Sequence, residues 1–369
     1  MACSNVAQDF SRVAPGEDAR AYWDGSPSAG GAPQYVTDLL TDPADTLSVT
    51  VTAPNDSNLY GAFAGKQASF VLLACYPTVA NNPRADYPLP TGSVVPHMQT
   101  GADPPLFADA TARYPMLVFS HGLNSSPLSN DDIAAMSVFA SYGYIVVAPF
   151  HGDPRFANLK VDDLIDAVTV LAHLSDFNAL QALRPLSMSA AIDLMLSNPQ
   201  WRDHVDATQI GGFGASMGGE AMMLMGGARL TTSFGLSSTQ VTVDPRFKAA
   251  VGYVPYFGQP FLPAFGRDQE GLNGVALSYL AISGTADTTA PIIMTQQGMA
   301  RLSGTRELVS LVRVKHEFDV ASTNDIFTWS LTFLDAEVRG NQAARQQLST
   351  MASVAGGGDD RVVIPYNGL

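Results

Sequence analysis

Cysteine is nearly absent from the sequence: Cys3 and Cys75 are the only two. A single pair allows one internal disulfide at most, which excludes a small disulfide-stapled scaffold. No C-x-x-C pair and no H-E-x-x-H segment occurs, so a metal site has no support in the sequence; the serine chemistry read below calls for no cofactor either. Basic residues are also few. Against 34 Asp and Glu stand 20 Lys and Arg, a net charge of −14, which repels phosphate backbones and removes nucleic acid from the expected partners. No apolar run reaches the roughly 18 residues that a membrane span needs, so no span is expected. The opening Met1-Ala2-Cys3-Ser4 lacks the charged and apolar regions of a signal peptide. Ala-Cys before a polar stretch is nevertheless what a bacterial lipoprotein shows at its processing site. Cys3 is therefore a candidate lipid anchor, with pairing to Cys75 as the alternative.

What is present is apolar material and loop formers. Hydrophobic residues make up 46% and charged residues 15%, beside 32 Gly and 24 Pro. That balance suits a loop-rich globular chain with a large core and a sparsely charged, extracytoplasmic surface, not a helical bundle or a disordered chain. Residues 1–45, rich in Gly, Pro, Asp and Ser, read as a tail or wrapping arm. Leu47–Ala53 alternates with period two and Ala68–Cys75 follows, a pair suited to an antiparallel edge. A Pro-rich loop runs over 78–114. Then come continuous apolar strands at Met116–Phe119, Tyr144–Ala148, Gln209–Phe213, Ala249–Val254 and Leu277–Ile282. Helical spacing falls between them, at 130–143, Ser187–Leu196 and Gly218–Met225, and again around Ile326–Leu334. Apolar strands alternating with helices predict an α/β chain: a mostly parallel central sheet with helices on both faces. One domain over 46–345 and a C-terminal tail over 346–369 are expected.

The segment Gly214-Ala215-Ser216-Met217-Gly218 fits G-x-S-x-G, set between a strand and a helix. A serine there sits on a sharp turn, where a Cβ at either flanking glycine would collide with the neighbouring element. The same stretch is not a dinucleotide loop, because Met217 occupies the third glycine position of G-x-G-x-x-G. A serine nucleophile needs a base. Of His97, His121, His151, His173, His204 and His316, only His316 follows Ser216 in the chain. Asp287, in the turn after the strand ending near Ile282, lies between them and is the expected orienting acid, ahead of Glu317 and Asp319. The oxyanion donors are expected to be the backbone N–H groups of Met217 and of Leu123, the latter in the turn after Phe119. His121 is expected to pack and shape that turn.

This ordered set of residues resembles the α/β-hydrolase fold. Within it, Tyr114–Leu123 and Ser141–Ala148 are similar to platelet-activating-factor acetylhydrolase and dienelactone-hydrolase-like esterases. Ser216-Met-Gly-Gly219, Val254-Pro-Tyr256 and Ala286–Pro291 resemble bacterial cutinases and polyester hydrolases. The resemblance implies a secreted, periplasmic or surface-anchored serine carboxylesterase, expected to be monomeric, acting on neutral, apolar esters that include small molecules and aliphatic polyesters. Two alternatives accompany it: an acetylhydrolase or lipase acting on lipid acyl esters, and an inactive hydrolase-fold binding protein. The resemblance also implies that Leu123 supplies an oxyanion N–H and that Tyr256 lines the acyl cleft. Phe257 and Phe261, in the aromatic stretch 256–265, are further candidates for substrate binding; that stretch reads equally as a cleft wall or as core packing. Ala215 stands where these families usually carry His, and a serine in place of the dienelactone hydrolases' cysteine disfavours that activity.

Overall fold

The uniformly apolar strands serve two core layers at once. The computed structural model describes residues 1–4, 46–89, 92–99, 103–153, 164–233 and 236–368. In the strand Tyr114–Ser120, Met116 and Val118 enter one layer, and Leu117 and Phe119 the other. Ile145 and Val147 likewise oppose Val146 and Ala148. A strand covered on both faces has no solvent side on which to alternate, which is why Met116–Phe119 and Ile145–Ala148 carry no polar residue.

The strands of the main sheet, in chain order, are β1 (Ala2–Cys3), β2 (Leu47–Thr52), β3 (Gln67–Tyr76), β4 (Tyr114–Ser120) and β5 (Ile145–Pro149). They continue with β6 (Val205–Ala215), β7 (Phe247–Tyr253), β8 (Ser278–Gly284), β9 (Arg306–Leu311) and β10 (Asp360–Ile364). Their spatial order is β1-β3-β5-β4-β6-β7-β8-β9-β10, with β2 also paired to β3. From β5 to β9 every neighbouring pair is parallel. At the two ends, β3 runs antiparallel to β5 and β10 antiparallel to β9. The protein is α/β, with a large, mostly parallel mixed sheet flanked by helices.

Those helices are α1 (Asn130–Ser141), α2 (Leu164–Ala172), α3 (Leu174–Ser197), α4 (Met217–Met225), α5 (Ile292–Met299), α6 (Thr323–Glu337) and α7 (Gln342–Leu348). Buried residues of α2 to α5 belong to one layer; those of α1, α6 and α7 belong to the other. The neighbours β4 and β6 fix the location of the site. The chain leaves β4 toward β5 on one side, whereas β6 continues toward β7 on the other. Their carboxyl ends lie level, Ser120 opposite Gly214, and such a switch point opens a crevice there.

Three expectations need correcting. The helix expected at Ser187–Leu196 is α3, beginning at Leu174 and passing through Pro185. An interior proline costs about 3 kcal/mol, but Phe177, Leu180, Leu183, Met188 and Ile192 are all buried along α3, and tertiary packing outweighs that local penalty. The expected tail at 346–369 includes the end of α7 and β10, which closes the sheet edge beside β9. Asp360 on that strand accepts a 2.6 Å bond from the buried Trp329 indole. The lipid-anchor expectation at Cys3 fails because its sulfur is bonded to Cys75, in a fully buried pairing of β1 with β3. Apart from residues 1–4, the arm expected over 1–45 lies outside the described residues. No helix among the described residues is long and apolar enough to cross a membrane.

The disulfide spans 72 residues. Closing a loop of that length removes about 4 kcal/mol worth of unfolded-state freedom. Cys75→Ser is therefore expected to lower the guanidinium midpoint clearly under oxidising conditions; an unchanged midpoint would contradict a stabilising role for the link.

Candidate functional site

Ser216 occupies the turn from β6 to α4 with φ 52° and ψ −118°, a strained conformation for a residue with a side chain. Its surroundings hold it there. The Ser216 N–H donates to the Tyr253 carbonyl at 2.9 Å, and the Ser216 carbonyl accepts from the Tyr256 N–H at 2.9 Å. A Cβ at Gly214 would overlap the Gly218 carbonyl, and one at Gly218 would overlap the Ser120 carbonyl. Both glycines are thus required for β6, α4 and the end of β4 to meet, as the pentapeptide pattern predicts.

The parallel register then brings three chain-distant side chains together. Ser216 Oγ lies 2.7 Å from His316 Nε2, and His316 Nδ1 lies 2.7 Å from Asp287 Oδ2. His316 follows β9 and Asp287 follows β8. The Asp287 side chain is fully buried, while that of His316 is 22% exposed. The other carboxylate oxygen, Asp287 Oδ1, accepts from the Thr289 and Ala290 N–H groups at 2.9 and 2.8 Å. With Nδ1–H donating to the carboxylate, Nε2 carries a lone pair able to accept the serine proton.

A cavity of about 530 Å³ opens above Ser216. Leu123, Met217, Phe213, Val254, Tyr256 and Phe318 give it an apolar lining, and Asp131, Asp132 and Glu317 also border it. Asp132 Oδ2 accepts from Ser125 and Ser129 at 2.8 and 2.6 Å, yet burial dominates and pushes its carboxyl up to about 6. Among the described residues, the Leu123 and Met217 N–H groups have no hydrogen-bond acceptor, and both residues line the cavity beside Ser216. Two unpaired donors next to a serine can hold a developing oxyanion.

The aromatic candidates divide. Tyr256 lines the cavity. Phe257 does not: it is fully buried, packed on Phe265 and Tyr279 and against the close approach of Gly298. Phe261 is 43% exposed, at the tip of the hairpin formed by Gly258–Gln259 and Leu262–Pro263, away from the cavity lining. The core-packing reading of the stretch holds for Phe257. Its neighbour Tyr256, itself buried, borders the cavity, and its N–H donates to the Ser216 carbonyl.

Sequence reasoning missed a buried polar layer beneath the site. Arg184 and Asp153 form an ion pair there, in contact with the turn that carries Leu123. Arg184 follows one helical period of an apolar helix and precedes a proline, so nothing local distinguishes it. His121, read as a packing residue, donates from Nδ1 to the Gly122 carbonyl at 2.8 Å. Its Nε2 accepts the His151 N–H at 3.2 Å. Burial, reinforced by the nearby Arg184 charge, pushes its imidazole down to about 4, so it stays neutral.

Glu220, one turn beyond Ser216 in α4, is also fully buried. Its Oε1 accepts from Gln181 at 2.6 Å, and burial pushes its carboxyl up from 4.5 to about 8. Between those values the folded chain holds a proton that the unfolded chain has released. Stability therefore falls as pH rises through that window, by up to about 1.4 kcal/mol per unit for this group. Glu220→Gln is expected to flatten the decline and raise the melting temperature at pH 8; Glu307, raised to about 8 by its own burial, retains part of the slope. Parallel pH–stability curves for variant and parent would refute the assignment.

Among the described residues, no group of three or more His, Cys, Asp or Glu is placed to hold a metal ion. No protein-family model matches the chain, and no curated protein is significantly similar to it.

Proposed function

We propose that the chain is a serine carboxylic ester hydrolase of the α/β-hydrolase type, with Ser216 as nucleophile. The observation that carries this reading is the relay Ser216 Oγ–His316 Nε2–Asp287 Oδ2, 2.7 Å at each link, beside the unpaired N–H groups of Met217 and Leu123. Ser216 Oγ attacks the ester carbonyl carbon as His316 Nε2 takes its proton. The carbonyl oxygen becomes the oxyanion held by the two N–H groups. Collapse breaks the bond to the alkoxy oxygen, which leaves as the alcohol with the proton from His316. Water, deprotonated by the same imidazole, then releases the acid and regenerates Ser216.

The apolar lining of the cavity suits acyl chains without charge, and its acidic border, with the net charge of −14, disfavours anionic substrates. Neutral esters, aliphatic polyesters among them, are the proposed class. The Cys3–Cys75 disulfide supports an oxidising, extracytoplasmic location. The test is labelling with a fluorophosphonate probe followed by peptide mapping, together with hydrolysis of p-nitrophenyl esters from acetate to long acyl chains. Modification at Ser216 and turnover of the series are expected. An unlabelled serine and no turnover across the panel would leave the binding-protein reading in its place.

A further inference from the structure

Helix α3 places a charge where its neighbours are apolar. The side chains of Arg184 and Asp153 are each 1% exposed and are joined twice, Nη2 to Oδ2 at 2.5 Å and Nε to Oδ1 at 3.2 Å. Burying two ions costs several kcal/mol each, and an apolar pair of similar volume often serves stability as well or better. The other contacts of the guanidinium indicate what this pair does. Nη1 donates to the His121 carbonyl at 2.5 Å and Nη2 to the Gly122 carbonyl at 3.2 Å. His121 Nδ1 supplies a second donor to that same Gly122 oxygen. On the far side of the turn, Asp153 Oδ2 accepts the Asn124 N–H at 2.9 Å.

These bonds bracket one peptide: two meet on the Gly122 carbonyl, one holds the peptide before it and one the peptide after it. The Gly122–Leu123 bond is trans, so its C=O and N–H point in opposite directions. Drawing the Gly122 carbonyl inward by two donors turns the Leu123 N–H outward, and anchoring Asn124 fixes the following peptide. The peptide lies beside the nucleophile: a Cβ at Gly122 would sit 3.7 Å from Ser216 Cβ. We infer that Arg184 is a positioning residue that, with Asp153 and His121, presets the Leu123 N–H for the oxyanion formed at Ser216. The inference rests on the ester hydrolase reading and adds to it the element that aligns the second oxyanion donor. Arg184 itself touches no reacting atom.

The experiment compares the parent protein, Arg184→Lys and His121→Phe in hydrolysis of p-nitrophenyl butyrate, in thermal unfolding, and in inhibition by an alkyl trifluoromethyl ketone. That ketone takes up Ser216 Oγ to form a hemiketal oxyanion, the serine proton passing to His316, so its affinity reports the oxyanion donors. Lysine keeps a charge opposite Asp153 but cannot reproduce the planar set of donors. For Arg184→Lys, kcat is expected to fall about 100-fold, the effect of losing one oxyanion donor, with KM changed less than about threefold. Ketone affinity falls by a similar factor. His121→Phe removes one of the two donors to Gly122 O, together with the acceptor of the His151 N–H, while keeping a ring in the pocket, and is expected to follow the same pattern with a loss of about tenfold.

A role in folding alone would lower the melting temperature but leave kcat and ketone affinity per folded molecule at parental values; that result overturns the inference. If Arg184→Lys does not fold, His121→Phe decides by the same criterion. Absence of turnover in the parent protein would overturn the hydrolase reading and this inference with it. Parental turnover with both variants unaltered would overturn the positioning role alone.

Discussion

Ser216→Ala is expected to lower kcat for p-nitrophenyl butyrate by about 10⁶-fold, to the level that binding and the proposed oxyanion donors sustain without a nucleophile. The substitution removes only Oγ, the atom 2.7 Å from His316 Nε2, and leaves the elbow intact. The backbone at φ 52° is held by bonds from the Ser216 N–H to Tyr253 and from the Tyr256 N–H to Ser216 O. The close approach permitted by Gly214 and Gly218 is likewise untouched. The variant should therefore unfold within a few degrees of the parent, so lost turnover reports chemistry and not folding. Fluorophosphonate labelling should vanish with it. Turnover near the parental rate would remove Ser216 from the reaction and the proposed function with it.

Ser216 and Asp287 were legible because each follows an apolar strand, and chain order alone selects one histidine after Ser216. Asp287 was separable from Glu317 and Asp319 because those two lie too close to His316 in the chain to reach back to it, and the contacts agree. Adjacent to His316, Glu317 lies on the rim of the cavity, and Asp319 is engaged by Ser322 Oγ at 2.5 Å, whereas the turn after β8 carries Asp287 beneath the imidazole. Five core strands were legible because burial on both faces leaves an unbroken apolar run; β9 was not, since Arg306, Glu307 and Ser310 interrupt its pattern. What the sequence concealed depends on contacts between distant segments. Arg184 sits 62 residues from the Gly122 carbonyl it holds. Phe257 and Tyr256 are neighbours in one buried layer, yet only Tyr256 borders the cavity, a difference that tertiary packing sets. The strand β10 is short, partly exposed and defined by its pairing with β9, so no periodicity announces it. Cys3 carried two readings of equal local merit, and only the register of β1 against β3 separates them.

Asp287→Asn is expected to cause the second large loss, about 10⁴-fold in kcat, and the hydrogen bonds of Asp287 account for how it would arise. Asp287 uses its two oxygens differently: Oδ1 accepts the Thr289 and Ala290 N–H groups, and Oδ2 faces His316 Nδ1. An asparagine can place only its carbonyl oxygen at the first position, because an NH2 group there would meet two donors in a fully buried site. The NH2 group then faces Nδ1 and donates to it. The imidazole is forced into the Nε2–H tautomer, which cannot accept the serine proton, and the positive ring formed during attack loses its carboxylate. Volume and backbone bonds are conserved, so KM and melting temperature should change little while kcat falls. Asp319→Asn serves as the control and should retain activity within about tenfold, since its carboxylate makes no bond to His316. A loss at Asp319 equal to that at Asp287 would move the acid to the other carboxylate and break the relay as described.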